Sequence, residues 1–131
     1  MTLKNILIID DDVSITSIFE FMLNNEGFNP ILANTKEDSL QIVKSDIDID
    51  LIFLDIKMPN IKGLELFKEI QKIRPNVLIV MITGYSVDHL LKEAFDLGAY
   101  AVIYKPFDIN EVLNLISQVF VISKDKKLNP K

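Results

Sequence analysis

Short runs dense in Ile, Leu and Val alternate along the chain with longer stretches in which apolar residues return every three or four positions. The first pattern fits buried strands and the second helices with one apolar face. Strands are expected over 4–10 (KNILIID), 29–34 (NPILAN), 50–55 (DLIFLD), 77–83 (VLIVMIT) and 100–105 (YAVIYK). All but the second are apolar on both faces, as strands covered by helices on each side must be, so the second is expected at an edge. Ile15, Ile18, Phe19, Met22 and Leu23 mark a helix over 13–26, placed to stop at Gly27. Further helices are expected over 36–45, 63–73 (ending before Pro75), 86–97 (ending at Gly98) and 109–122. The β/α order repeats without an interrupting linker, which predicts one α/β domain over 1–122 with a doubly wound, five-stranded parallel sheet and five helices. Residues 123–131 read as a polar tail or the start of a linker.

With 131 residues and 49% hydrophobic positions, the chain is long and apolar enough for a core without disulfides. Its net charge of -5 argues against binding a nucleic-acid backbone, which needs clustered Lys and Arg. No cysteine and one histidine exclude a soft-ligand zinc site and a thiol nucleophile. The apolar run in MTLKNILIIDDD is too short for a signal-peptide core, and no stretch approaches a membrane span. The expected location is therefore cytoplasmic.

In a doubly wound sheet, functional groups collect outside the carboxyl ends of the strands. The first strand ends in Asp10, Asp11 and Asp12, the third in Asp55, the fourth in Thr83 and the fifth in Lys105. Singly, each has an ordinary role: one aspartate as a helix N-cap, Thr83 or Ser86 as another, Lys105 as a solvated cation. A helix needs one cap, however, and further carboxylates beside Asp55 repel it unless a cation sits among them. Carboxylates without histidine or cysteine select a hard ion, and a sparse acidic site that leaves room for phosphate oxygens suits Mg²⁺ better than an enclosed Ca²⁺ cage. An ionised aspartate is a nucleophile toward phosphorus once metal and lysine offset its charge, so the pattern reads as a phosphoryl-accepting site.

The segments ILIIDDD, LIFLDIKMPNIKG, MITGY and GAYAVIYKPFD stand in the order and spacing of the response-regulator receiver domains of two-component signalling, which the chain resembles over residues 4–122. The resemblance implies strand order 2-1-3-4-5 in the manner of flavodoxin. It implies Asp55 as phosphoacceptor, Asp11 and Asp10 as holders of Mg²⁺ together with Asp55, and the backbone carbonyl of Lys57 as a further ligand. Thr83 would bond a phosphoryl oxygen, Lys105 would pair with it, and the bond from Lys105 to Pro106 would be cis. The implied donor is a histidine kinase or histidine phosphotransfer protein. The implied output is a downstream effector domain or protein engaged through the fourth helix, fifth strand and fifth helix, with no direct contact to nucleic acid and no membrane.

Many receivers carry an aromatic residue three positions before the lysine, where this chain has Val102. The output face is then expected to respond through backbone and fourth-helix motion, with Tyr100 or Tyr104 filling part of the aromatic role. Tyr85 and Lys57 occupy positions that border the path of attacking water in this family, and bulky Tyr85 is expected to slow hydrolysis. His89 reads as a surface residue, and Met58 and Met81 as turn and core. The last helix has more apolar positions than one buried face needs, so Leu115 or Val121 is expected to serve a partner or homodimer surface. Other readings are a Mg²⁺-dependent phosphohydrolase, a flavin-binding module and an inert receiver-like interaction domain. The first would ordinarily need an acid where Lys57 stands, the second lacks a phosphate-cradling loop, and the third sits poorly with an intact set of motifs.

Overall fold

A computed structural model of the chain describes the backbone of residues 4–58, 61–84 and 88–128, and side chains within 4–56, 63–84 and 91–120. The strands are β1 (Asn5–Ile9), β2 (Asn29–Ala33), β3 (Leu51–Asp55), β4 (Lys57–Met58), β5 (Ile61–Lys62), β6 (Ile79–Thr83) and β7 (Ala101–Tyr104). The helices are α1 (Val13–Asn25), α2 (Lys36–Lys44), α3 (Gly63–Ile73), α4 (Asp88–Leu97) and α5 (Ile109–Leu128). Five strands form a parallel sheet in the order β2-β1-β3-β6-β7, which is 2-1-3-4-5 when only its members are counted. The remaining pair, β4 and β5, is a small antiparallel hairpin between the third sheet strand and α3.

Alternation along the strands builds a core on each face. Ile6, Ile8, Phe53, Val80, Ile82 and Ile103 pack with Phe19, Met22 and Leu23 of α1 and Val112 and Ile116 of α5. Leu7, Ile9, Ile52, Leu54 and Met81 pack on the other side with residues of α2, α3 and α4, among them Val43, Phe67 and Ala94. β3 lies at the centre and is buried at all five positions. The Phe19 ring lies 5.0 Å from that of Phe53 and 5.2 Å from that of Phe107. Emptying a core site of this kind, as in Phe53→Ala, costs about 3–5 kcal/mol, so the tip of β3 is rigidly supported.

Helix ends follow local chemistry. Asp12 and Thr35 cap α1 and α2 by accepting the N–H of Ser14 and Asp38. Gly27 and Gly98 take positive φ where helices turn back toward strands. Gly63 starts α3 against the main chain after β3: a Cβ there would stand 2.7 Å from the Asp55 carbonyl oxygen and nearer still to that of Ile56. No larger residue fits without moving the segment that carries Asp55.

Several expectations change in detail. On α1 the buried positions are Thr16, Phe19, Met22 and Leu23, while Ile18 is exposed, because the apolar face is set by 3.6-residue rotation against β1 and β3. β7 buries only Ile103 fully, since it is the second edge strand and has a neighbour on one side alone. α5 continues to Leu128 rather than stopping near 122, in a stretch with no Gly or Pro to end it. Ser86 lies outside the described residues.

Candidate functional site

Ile8, Phe53 and Ile103 share the core beneath α1 and α5, and two residues further along each segment stand Asp10, Asp55 and Lys105. Strand alternation therefore raises these three side chains on one side of the sheet at its carboxyl edge. The Lys105 Nζ lies 2.9 Å from Asp55 Oδ2, to which it donates a hydrogen bond, and 2.9 Å from Asp10 Oδ2. The second contact is an ion pair without hydrogen-bond alignment, and Asp10 Oδ2 has no hydrogen-bond donor among the described residues. Asp10 is fully buried and Asp55 is 3% exposed. Asp10, Asp11 and Asp55 each bring a carboxylate oxygen within 4.8 Å of the others, a spacing one metal ion spans.

The loop after β1 holds this cluster open. The Asp12 N–H donates to Asp10 Oδ1 at 2.9 Å, so one oxygen of Asp10 is anchored and the other is left toward Lys105. Burial pushes the carboxyl of Asp10 above its ordinary value and outweighs the help from the Asp12 amide and Lys105. Asp11 is also raised, by burial first and then by the charge and hydrogen bonding of Asp10. For Lys105, burial works to lower the value, but its contacts with Asp55 and Asp10 win and raise it. The lysine is a firm cation at neutral pH. Burial leaves Asp10 and Asp11, by contrast, under-compensated, which is the condition that favours a bound divalent ion.

Thr83 ends β6 beside these groups. It is fully buried, its Oγ1 has no partner among the described residues, and its carbonyl accepts the Lys105 N–H at 2.6 Å. The peptide bond between Lys105 and Pro106 is cis, as the resemblance implies. Together the edge offers carboxylates that could serve as nucleophile and hard-ion donors, an ammonium paired with two of them, and a hydroxyl without a partner among the described residues. These are the parts that phosphoryl transfer to an aspartate needs.

The structure thus brings together Asp10, Asp11, Asp55 and Lys105, with Thr83 on the adjoining strand end. Asp12 takes the capping role that one of the three acids was expected to have. The backbone of Lys57 lies in the β4–β5 hairpin, but its side chain and those of Met58 and His89, with all of Tyr85, lie outside the described residues. Met81 is core. Val102 is partly buried, and Tyr100 and Tyr104 are 38% and 48% exposed, so neither ring is packed inside the sheet edge. Leu115 is partly buried against the α1/α5 core, while the Val121 side chain lies outside the described residues. Sequence reasoning passed over Asn34, whose amide Nδ2 donates to the Asp10 carbonyl at 2.8 Å and to Thr16 Oγ1 at 3.0 Å. Its position just past the second strand, at the same sheet edge, was the available signal.

Comparison with known proteins agrees with this fold. The family pattern described as the response regulator receiver domain matches residues 6–117. The sporulation initiation phosphotransferase F of Bacillus subtilis (strain 168) is 31% identical over 115 residues, covering 88% of this chain and 92% of that protein. The transcriptional regulatory protein ZraR of Escherichia coli (strain K12) is 32% identical over 108 residues, but there the match spans 82% of this chain and 24% of the relative. Among solved structures, a CheY-like response regulator receiver domain protein from Methanospirillum hungatei JF-1 superposes with a TM-score of 0.86 at 31% identity, covering 95% of this chain and 99% of that one. NtrX from Brucella abortus gives 0.85 at 30% identity, over 96% of this chain and 29% of its own. The chain belongs to the response regulator receiver-domain family of two-component signalling.

Proposed function

We propose that the chain is a phosphorylation switch that takes a phosphoryl group onto Asp55 from a phosphohistidine donor, a histidine kinase or histidine phosphotransfer protein. The observation that carries this reading is the Lys105 ammonium held 2.9 Å from carboxylates of two different strands. A surface lysine with a structural role alone has no need of two buried acids, each costly to leave charged in the interior.

An Asp55 carboxylate oxygen attacks phosphorus as the P–N bond to the donor imidazole breaks; the electron pair stays on that nitrogen, which takes up a proton, and an acyl phosphate remains on Asp55. Asp10, Asp11 and Asp55, with the backbone carbonyl of Lys57, would hold Mg²⁺, which supplies charge neutralisation for an incoming phosphoryl group. The metal fits the residues present: three hard oxygen donors, one from each of Asp10, Asp11 and Asp55, converge. Lys105 donates to phosphoryl oxygens from a charge that the pocket keeps protonated. The Thr83 hydroxyl, without a partner among the described residues, gains a phosphoryl oxygen as acceptor after the reaction.

The modification adds about -1.5 to -2 charges at this edge. It favours the packing in which Thr83 and Lys105 engage those charges, and the bias spreads to α4, β7 and α5, the surface offered to an effector domain or protein. With Val102 in place of an aromatic side chain and both tyrosines outside, the response runs through the backbone of β6 and β7 and through α4. The chain acts on its own aspartate alone, without touching nucleic acid, and Tyr85 slows loss of the phosphate to water.

Incubation with Mg²⁺ and a small phosphodonor, followed by intact mass, tests the reading. One phosphoryl group is expected on the native chain, and none on Asp55→Asn or without a divalent ion. Equal labelling of the Asn variant would refute it.

A further inference from the structure

Asn34 follows β2 and is half-buried, on a strand that contributes none of the site's charged groups. Its single amide nitrogen spends one hydrogen on the acidic loop, at the Asp10 carbonyl (2.8 Å), and the other on α1, at Thr16 Oγ1 (3.0 Å). Thr16 is itself buried in α1 and donates its hydroxyl hydrogen to the Val13 carbonyl at 3.1 Å. The Asp10 N–H is tied to the Ala33 carbonyl at 3.1 Å. Residues 33 and 34 therefore hold Asp10 by its donor and its acceptor at once, and Asn34 also clips the first turn of α1. The carbonyl fixes which way the amide points, because a flipped amide would set oxygen against oxygen.

Resting on the proposed cation-dependent function, we propose that Asn34 is a positioning residue for the cation site: its amide latches the Asp10 carbonyl to Thr16 and so fixes the loop on which Asp10 and Asp11 converge with Asp55. The loop carries like charges that repel one another. Without the latch they relax apart, and the cost appears in ion binding. Outer groups that orient a metal's ligands typically change metal affinity by about 10–100-fold when removed.

The test is Mg²⁺ titration by calorimetry of the native chain, Asn34→Ala, Asn34→Asp and Thr16→Val, with urea midpoints measured in metal-free buffer. Asn34→Ala is expected to weaken Mg²⁺ binding about 10-fold. Asn34→Asp should weaken it further, since a carboxylate oxygen then faces the Asp10 carbonyl. Thr16→Val combined with Asn34→Ala should lose less than the product of the two single effects, because both break one latch. Arg74→Ala serves as the control. It cuts two carbonyl contacts at the far end of the sheet and should lower the urea midpoint with the Mg²⁺ affinity unchanged. If the Asn34 variants lose stability as Arg74→Ala does yet bind Mg²⁺ like the native chain, the residue is structural only and the proposal falls. If the native chain itself binds no Mg²⁺, the cation-dependent function falls first and this inference with it.

Discussion

The two ends of the central sheet treat their polar groups in opposite ways. Where the strands begin, the groups are paired: the Asn5 N–H donates to Asp50 Oδ2, Asn5 Nδ2 to the Asp48 carbonyl, and Asn29 Nδ2 to Asn5 Oδ1. There too Arg74 donates to the carbonyls of Val43 and Ser45 at the end of α2, where a cation meets the negative pole of a helix. Where the strands end, both buried side-chain atoms found without a hydrogen bond among the described residues occur, Asp10 Oδ2 and Thr83 Oγ1. One end is finished as structure. The other keeps Thr83 Oγ1 without a partner among the described residues and balances Asp10 Oδ2 by its ion pair with Lys105 alone, capacity that an ion and a phosphoryl group could fill, at some cost to the stability of the free chain.

Substitutions at the two ends should therefore separate activity from stability. The largest effect is expected for Lys105→Gln, which removes the cation shared by Asp10 and Asp55: its phosphorylation rate with a small donor should drop about 100-fold, comparable to losing one charge-stabilising donor in an enzyme. A rate within a few-fold of native would mean that Lys105 balances the resting site only. At the opposite end, Arg74→Ala should lower stability by roughly 2 kcal/mol in urea denaturation, as expected for charged hydrogen bonds to partly buried carbonyls, and leave the rate intact. A parallel loss of rate would show that the two ends are coupled.

Smaller effects should run the other way in sign. Thr83→Val replaces a buried hydroxyl that has no partner among the described residues with a methyl group, so the unphosphorylated chain should gain up to about 1 kcal/mol, read from the urea midpoint, while its phosphorylated form loses the response at α4. Destabilisation instead would reveal a partner for that hydroxyl. The smallest effect is pH-dependent. Folding raises Asp10 and Asp11 above the ordinary 3.8, so the folded chain binds their protons more tightly than the unfolded one. That contribution is complete below pH 3.8 and disappears as pH rises through the raised values. In metal-free buffer Asp11→Asn should then melt slightly higher than native at neutral pH, with the gap closing in mild acid. Over the same window protons compete with Mg²⁺, so the native chain's affinity for the ion should fall with pH while the ordinary surface carboxylates are still ionised. An affinity flat across that window would count against under-compensated ligands.

Much of this asymmetry was legible in the residues. Alternating apolar runs located the five sheet strands, and their common direction put Asp10, Asp55, Thr83 and Lys105 at one edge. The strand order itself came with the resemblance, since periodicity carries no information about which strands are neighbours. The β4–β5 hairpin escaped because strands of two residues have no period to detect. Ile18 was placed on the wrong face of α1 because hydrophobicity alone does not fix a helix's rotation, and polar Thr16 is buried there in its role as partner to Asn34. That latch and the close approach of Gly63 to Asp55 depend on distant segments meeting, which a linear pattern does not encode.

The most direct measurement maps the label itself: the chain is phosphorylated with Mg²⁺ and a small donor, the acyl phosphate is reduced with borohydride, and the modified peptide is sequenced by mass spectrometry. The reduced residue is expected at Asp55 alone, and only where the divalent ion was present. Modification at Asp10, Asp11 or a surface acid, or at Asp55 with equal yield after chelation, would contradict a cation-dependent acceptor at the tip of β3.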